Sequence, residues 1–144
     1  MEKTYKIGYT QGVFDMFHIG HLNIINKAKE LCEYLIVGVN SDDLVETYKN
    51  KRPVINELER QIIVSNIKAV DECVIVNTLD KTEVWKDYHF DAVFIGDDWK
   101  GNARWLQTED DLKKYGAKVI YLPHTEGVSS TILRPVEQFK VNER

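Results

Sequence analysis

Cysteine and proline are both scarce in this chain of 144 residues, at two and three. The two cysteines, Cys32 and Cys73, lie far apart in apolar stretches, which excludes a CxxC metal clip and a disulfide framework. They read as reduced core thiols of a cytoplasmic protein. Stability then has to come from a core, and a chain this long buries roughly 70% of its unfolded surface without staples. Long apolar runs are also absent. None approaches the roughly 20 residues that span a bilayer, so no membrane insertion is expected, and Met1–Thr10 lacks the apolar stretch of a secretory leader. Nor is there an excess of positive charge. With 19 basic against 23 acidic residues, the net charge of −4 argues against nucleic acid as a partner. Internal repeats and low-complexity segments are missing, and one domain over residues 1–144 is expected.

What is present is an alternation. Strand-length apolar runs at Tyr5–Thr10, Tyr34–Val39, Cys73–Val76, Asp91–Gly96 and Ala117–Leu122 are separated by stretches of helical period. The helices are read at Gly20–Glu33, Asn56–Ala69, Lys81–Tyr88, Ala103–Tyr115 (stopped by Gly116) and Ser129–Phe139, the last leading into a tail to residue 144. Asn56 with Glu59 has the form of a capping box. The polar stretch Glu46–Pro53 reads as a mobile excursion. Five alternations predict an α/β fold, a doubly wound and mainly parallel sheet of the Rossmann-like kind. In such sheets ligands sit beyond the carboxyl ends of the strands, which directs attention to the residues after Thr10, Val39, Ile95 and Leu122.

The first of these loops reads Gly12-Val13-Phe14-Asp15-Met16-Phe17-His18-Ile19-Gly20-His21. Two histidines three apart at the opening of a helix share a face of its first turn. Free backbone N–H groups there already attract anions, and imidazoles add directional donors for charge that builds on a phosphate. Gly12 and Gly20 permit close backbone approach. Lys49, Lys51 and Arg52 lie in the polar excursion, and Arg60 one turn into the next helix offers a planar fork for phosphate oxygens. Asp97 and Asp98 follow the fourth strand, where paired carboxylates suit Mg²⁺ through water or a substrate hydroxyl, with Trp99 beside them. Ser129, Ser130 and Thr131 open the last helix as a second anion site. Trp85 and Trp105 read as packing.

His18-Ile19-Gly20-His21 resembles the HIGH motif of the nucleotidyltransferase superfamily, and the preceding Gly-x-Phe-Asp is similar to the small cytidylyltransferases. Arg52-Pro53-Val54 with Glu59-Arg60, Gly96-Asp97-Asp98-Trp99 and Thr125–Thr131 extend the resemblance over residues 5–135, with Gly96–Trp99 closest to glycerol-3-phosphate cytidylyltransferases. The resemblance implies transfer of CMP from CTP to a phosphomonoester, by in-line attack without a nucleophilic side chain. It implies catalytic roles for His18, His21, Lys51 and Arg60. Nucleotide contacts fall to Thr10, Gly12, Val13, Phe14, Asp15, Gly20, Gly96, Asp98, Thr125, Glu126, Val128, Ser129, Ser130, Thr131 and Arg134. Acceptor contacts fall to Asp42, Lys49, Lys51, Asp97 and Trp99, and Mg²⁺ is placed near Asp15 or Asp98. A homodimer is implied as well.

Three positions depart from the glycerol-phosphate pattern: Val13 for threonine, His124 for the arginine before Thr-Glu-Gly, and Lys68 where arginine is frequent. Glycerol 3-phosphate, giving CDP-glycerol, is the acceptor the resemblance favours, and these departures make another phosphorylated compound, such as phosphocholine or phosphoethanolamine, the alternative. The stretch Val128–Arg134 also fits an ISSTxxR pattern of related adenylyltransferases, which makes ATP the alternative donor. A nucleotide-binding regulator without turnover is the non-enzymatic alternative.

Overall fold

A computed structural model describes residues 3–123. The elements run β1 (Tyr5–Gly12), α1 (Ile19–Leu31), β2 (Cys32–Asn40), α2 (Asp42–Lys49), α3 (Glu57–Ser65), β3 (Glu72–Val76), α4 (Lys81–Tyr88), β4 (Ala92–Gly96), α5 (Ala103–Lys113) and β5 (Lys118–Leu122), with a short 3-10 turn at Asp97–Trp99. All five expected strands form, and each pairs in parallel, in the order β3-β2-β1-β4-β5. The chain works outward from β1 to β3 and then crosses to β4 on the other side of β1. That reversal puts the switch point between the carboxyl ends of β1 and β4. The helix expected over Ser129–Phe139 lies outside the described residues.

Two expectations need correction. The stretch Glu46–Pro53 is not a free excursion, because α2 occupies its first half. Ser41 Oγ caps that helix by accepting from Leu44 N at 3.1 Å, Asp42 and Asp43 fill its first turn, and Asn50 closes it in the left-handed region at φ 59°. The second correction shortens the helix read to Ala69, which ends at Ser65. Ser65 Oγ donates to Gln61 O at 2.6 Å and Asn66 Nδ2 to Ile62 O at 2.8 Å, so side chains capture carbonyls that a longer helix would use.

The strands distribute their side chains to two cores. Leu35, Val37 and Val39 of β2 join Ala92 and Phe94 of β4 under α1 and α3 (Ile25, Ala28, Val64). The alternate residues Tyr9, Ile36 and Val93 join Val84 of α4 and Trp105 and Leu112 of α5 on the opposite face. The period-two alternation of the strands is therefore what makes the sheet doubly wound. Trp85 and Trp105 pack as expected: Trp85 stacks on Tyr115 with centroids 4.4 Å apart, and Trp105 is buried. Gly8 faces the first core so closely that a Cβ there would stand 2.5 Å from Phe94 Cε2 and 2.7 Å from Cys32 Sγ. Gly8→Ala is thus expected to destabilise the fold by about 1–3 kcal/mol, through overpacking. Urea unfolding checks this, and an unchanged midpoint would contradict it.

Candidate nucleotide-transfer site

The loop after β1 is held in an uncommon shape. Phe14 and Met16 both adopt positive φ, at 55° and 49°, which non-glycine residues rarely do. Burial of Phe14 in the first core anchors the turn, and Phe14 also packs edge-on to His21 with centroids 5.5 Å apart. Asp15 supplies the second anchor. Its two carboxylate oxygens accept from Val54 N at 2.8 Å and Ile55 N at 2.9 Å, tying the loop to the segment that enters α3.

His18 is the N-cap of α1. Its Nδ1 accepts from Gly20 N at 3.1 Å, while His21 Nδ1 accepts from His18 N at 3.2 Å, and the rings stack with centroids 3.9 Å apart. Because each Nδ1 is an acceptor, each neutral ring carries its proton on Nε2. Burial lowers the pKa of both. For His21 it falls to about 4, with His18 pushing the same way and Asp15 opposing. At neutral pH the pair is therefore two uncharged N–H donors at a helix N-terminus. His18 Nε2 is buried and without a partner among the described residues. A buried orphan donor of this kind costs about 1–3 kcal/mol until an acceptor reaches it.

Arg60 is placed inside the fold. The residue is 0% exposed, and its guanidinium is spent on the protein. Nε donates to Ile55 O at 2.8 Å, Nη1 to Val13 O at 2.7 Å and Asn40 O at 2.8 Å, and Nη2 to Asp42 Oδ1 at 2.7 Å. It braces the loop after β1 from within the fold. Asp42 is held with it: besides Arg60, its backbone N donates to Glu57 Oε1 at 2.8 Å and its Oδ2 accepts from Glu57 N at 3.2 Å, so it joins α2 to α3. Asp15, with both oxygens accepting from backbone, anchors the loop. The buried hydroxyl of Thr10 donates to Phe94 O at 2.9 Å across the β1–β4 pair.

The other expected residues are placed around the same edge. A Cβ at Gly12 would lie 3.2 Å from the Phe14 ring, Val13 is half-buried with its carbonyl facing Arg60, and Gly20 N is used by the His18 cap. Gly96 leads into Asp97–Trp99, whose residues are exposed, and Asp98 Oδ1 fills the space a Gly96 Cβ would take. Lys51 is exposed, Lys49 Nζ lies 5.9 Å from the Tyr48 ring centroid, and Arg52 is held by Asp43 at 2.7 Å and Glu46 at 3.3 Å. Thr125, Glu126, Val128, Ser129, Ser130, Thr131 and Arg134, with His124, lie outside the described residues. No group of three or more metal-ligating side chains forms among the described residues.

One polar network was not anticipated. Tyr9 Oη donates to Gln11 Oε1 at 2.6 Å, Gln11 Nε2 to Asn40 Oδ1 at 2.8 Å and Thr78 O at 2.9 Å, and Asn40 Nδ2 to Tyr48 Oη at 3.1 Å. It ties the carboxyl ends of β1, β2 and β3 to α2. Gln11 and Asn40, amide side chains at the carboxyl ends of β1 and β2, were its trace in the sequence.

A parallel sheet with donors gathered at its switch point defines a phosphate-handling α/β architecture of the nucleotidyltransferase kind. Residues 9–136 match the family described as Cytidylyltransferase-like. The chain is 37% identical over 126 residues to the glycerol-3-phosphate cytidylyltransferase of Bacillus spizizenii, covering 87% of this chain and 92% of that protein. To the FAD synthase of Thermococcus sibiricus it is 35% identical over 116 residues, covering 80% and 78%. Among solved structures, the lipopolysaccharide core biosynthesis protein of Thermoplasma volcanium shares the fold, with a TM-score of 0.73, 24% identity and coverage of 85% and 99%. The chain belongs to the cytidylyltransferase-like family and is a nucleotidyltransferase.

Asparagine at position 21 retains an acceptor where Nδ1 stood and removes the Nε2 donor. His21→Asn is expected to keep the melting temperature close to wild type near pH 7 and to lower turnover by about 10²-fold or more, whereas His21→Ala loses both. The proton linkage follows from a folded-state pKa near 4 against 6.5 unfolded. The unfolded chain binds more protons between these values, so stability is full above 6.5 and falls as pH drops toward 4. The asparagine variant should flatten that slope in melting curves; an unaltered slope would show that His21 does not set it.

Proposed function

We propose that the chain transfers CMP from CTP to a small phosphomonoester and releases pyrophosphate. The observation that carries this reading is the neutral, Nε2-protonated His18–His21 pair at the N-terminus of α1, beside the switch point. Such donors stabilise charge on phosphate oxygens without needing to shed a proton first. An ionised phosphate oxygen of the acceptor attacks the α-phosphorus of CTP, and the bond to pyrophosphate breaks on the far side. The acceptor needs no general base, so the protein positions the two phosphates and offsets their charge. His18 and His21 donate to the triphosphate, with His21 nearest the reacting phosphorus. Lys49 and Lys51 approach from the end of α2, and the Gly96–Trp99 turn borders the acceptor. No ligand cage forms among the described residues, so Mg²⁺ would arrive with the triphosphate, and Asp15 or Asp98 would be the carboxylate to hold it, directly or through water. When bound, Mg²⁺ neutralises phosphate charge.

The named activity of the Bacillus relative supports glycerol 3-phosphate as the first acceptor to try. ATP is the second reading for the donor, favoured by nearly equal similarity to a protein named for an adenine-containing product. Pyrophosphate release from CTP or ATP, with Mg²⁺ and a panel of phosphomonoesters, tests both. Release that requires CTP is expected. Release with ATP alone would shift the assignment, and none with any acceptor would refute it.

No helix among the described residues is long and apolar enough to cross a membrane. We place the reaction in the cytoplasm, where the free thiols of Cys32 and Cys73 stay reduced. We also propose a homodimer through α3, where Leu58 and Ile62, four residues apart, are 61% and 60% exposed with Val54 just ahead at 74%. Light scattering should find a dimer that Ile62→Glu converts to a monomer. A monomeric wild type would rule this out.

A further inference from the structure

Gln11 and Asn40 share a sheet face with Tyr9 and Ile36 of the second core, at the carboxyl ends of β1 and β2. One backbone group sets the direction of the hydrogen bonds that run from there to α2. Thr78 O can only accept, so Gln11 turns Nε2 toward it at 2.9 Å and leaves Oε1 to accept from Tyr9 Oη at 2.6 Å. The same Nε2 donates to Asn40 Oδ1 at 2.8 Å, which directs Asn40 Nδ2 to Tyr48 Oη at 3.1 Å. Neither amide can flip without setting like groups against each other. Burial pushes the Tyr9 phenol far above its usual range, with Tyr88 and Cys73 adding to the push, so it remains a donor at neutral pH. The sheet makes room for that phenol: Gly38 lies between Ile36 and Asn40 on the same face, and a Cβ there would overlap Tyr9 Oη.

Apolar side chains would hold a helix to a sheet at less desolvation cost than buried amides do. What a fully satisfied polar chain adds is a single permitted arrangement. Here that arrangement ends on the last turn of α2, one residue before Lys49 and three before Lys51. The first turn of α2 is already fixed through Asp42 to Arg60 and Glu57. At the other end Tyr48 is 41% exposed, so its ring adds little to the core while its Oη carries the link to the sheet. Asn50, in the left-handed region, closes the helix directly before Lys51.

We infer that Gln11, Asn40 and Tyr48 are positioning residues, which register the last turn of α2 against the sheet and so set where Lys49 and Lys51 meet phosphate. This rests on the proposed transfer, in which those lysines approach the reacting groups. A double-mutant cycle on pyrophosphate release tests it. Tyr48→Phe should lower kcat roughly tenfold, the size of one hydrogen bond, with the melting temperature close to wild type. Asn40→Leu, which interrupts the chain one step earlier, should do the same. In a Lys49→Met/Lys51→Met background, Tyr48→Phe should lower kcat no further, because the chain then has no ammonium left to place. A merely structural role would give the same fold-loss in both backgrounds. That result, or no loss in the wild-type background, overturns the inference and leaves CMP transfer standing. If no acceptor is turned over, the same cycle is read from the calorimetric affinity for inorganic tripolyphosphate with Mg²⁺. A loss on Tyr48→Phe that disappears in the lysine variant upholds the positioning role; no binding, no loss or an additive loss overturns it.

Discussion

A guanidinium sealed from solvent is the constraint on which the candidate site depends. Arg60 draws together Val13 from the loop after β1, Asn40 from the end of β2, Asp42 from the start of α2 and Ile55 ahead of α3. Removing such a charge from water costs several kcal/mol unless its donors are satisfied, and here three carbonyls and one carboxylate satisfy them. The arrangement is self-enforcing, because each of the four segments must be in place for the charge to be tolerated. Asp15 adds the return connection from the loop to the same segment ahead of α3. The loop that bears the histidines is therefore fastened on both sides, which accounts for two non-glycine residues at positive φ within it.

The histidines divide their two nitrogens between structure and chemistry. Each Nδ1 completes a reciprocal cap at the start of α1, and that hydrogen bond selects the tautomer that leaves Nε2–H for a ligand. Burial, the neighbouring ring and the positive end of the helix all disfavour protonation. Each ring is thus a cap on its Nδ1 edge and, on its Nε2 edge, the donor that the proposed transfer uses.

The sheet carries a separate core on each face. One, built on Phe14, Ile25 and Phe94, lies under the histidine loop and α1, and the other, built on Tyr9, Val84 and Trp105, lies under α4 and α5. Residues of a single strand alternate between these two supports, so β1 feeds both. The network from Tyr9 through Gln11 and Asn40 to Tyr48 joins this arrangement to α2, from which Lys49 and Lys51 emerge.

The strands were legible because parallel strands covered on both faces read as continuous apolar runs, as Leu35–Val39 does. The histidine loop was legible because its residues are contiguous and its motif is local. The helix α2 escaped notice: eight residues with Val45 as the buried one leave no apolar stripe to detect, although Ser41-Asp42-Asp43 carries the capping signal. Sequence by itself thus determined the alternation, the parallel sheet and the position of the phosphate loop, all of which follow from periodicity and neighbouring residues. Only the tertiary structure decided how Arg60, Asp42 and Asp15 brace the loop. Their bonds reach residues as far as 47 positions away, and hydrogen bonds across such separations leave no periodic trace in the chain.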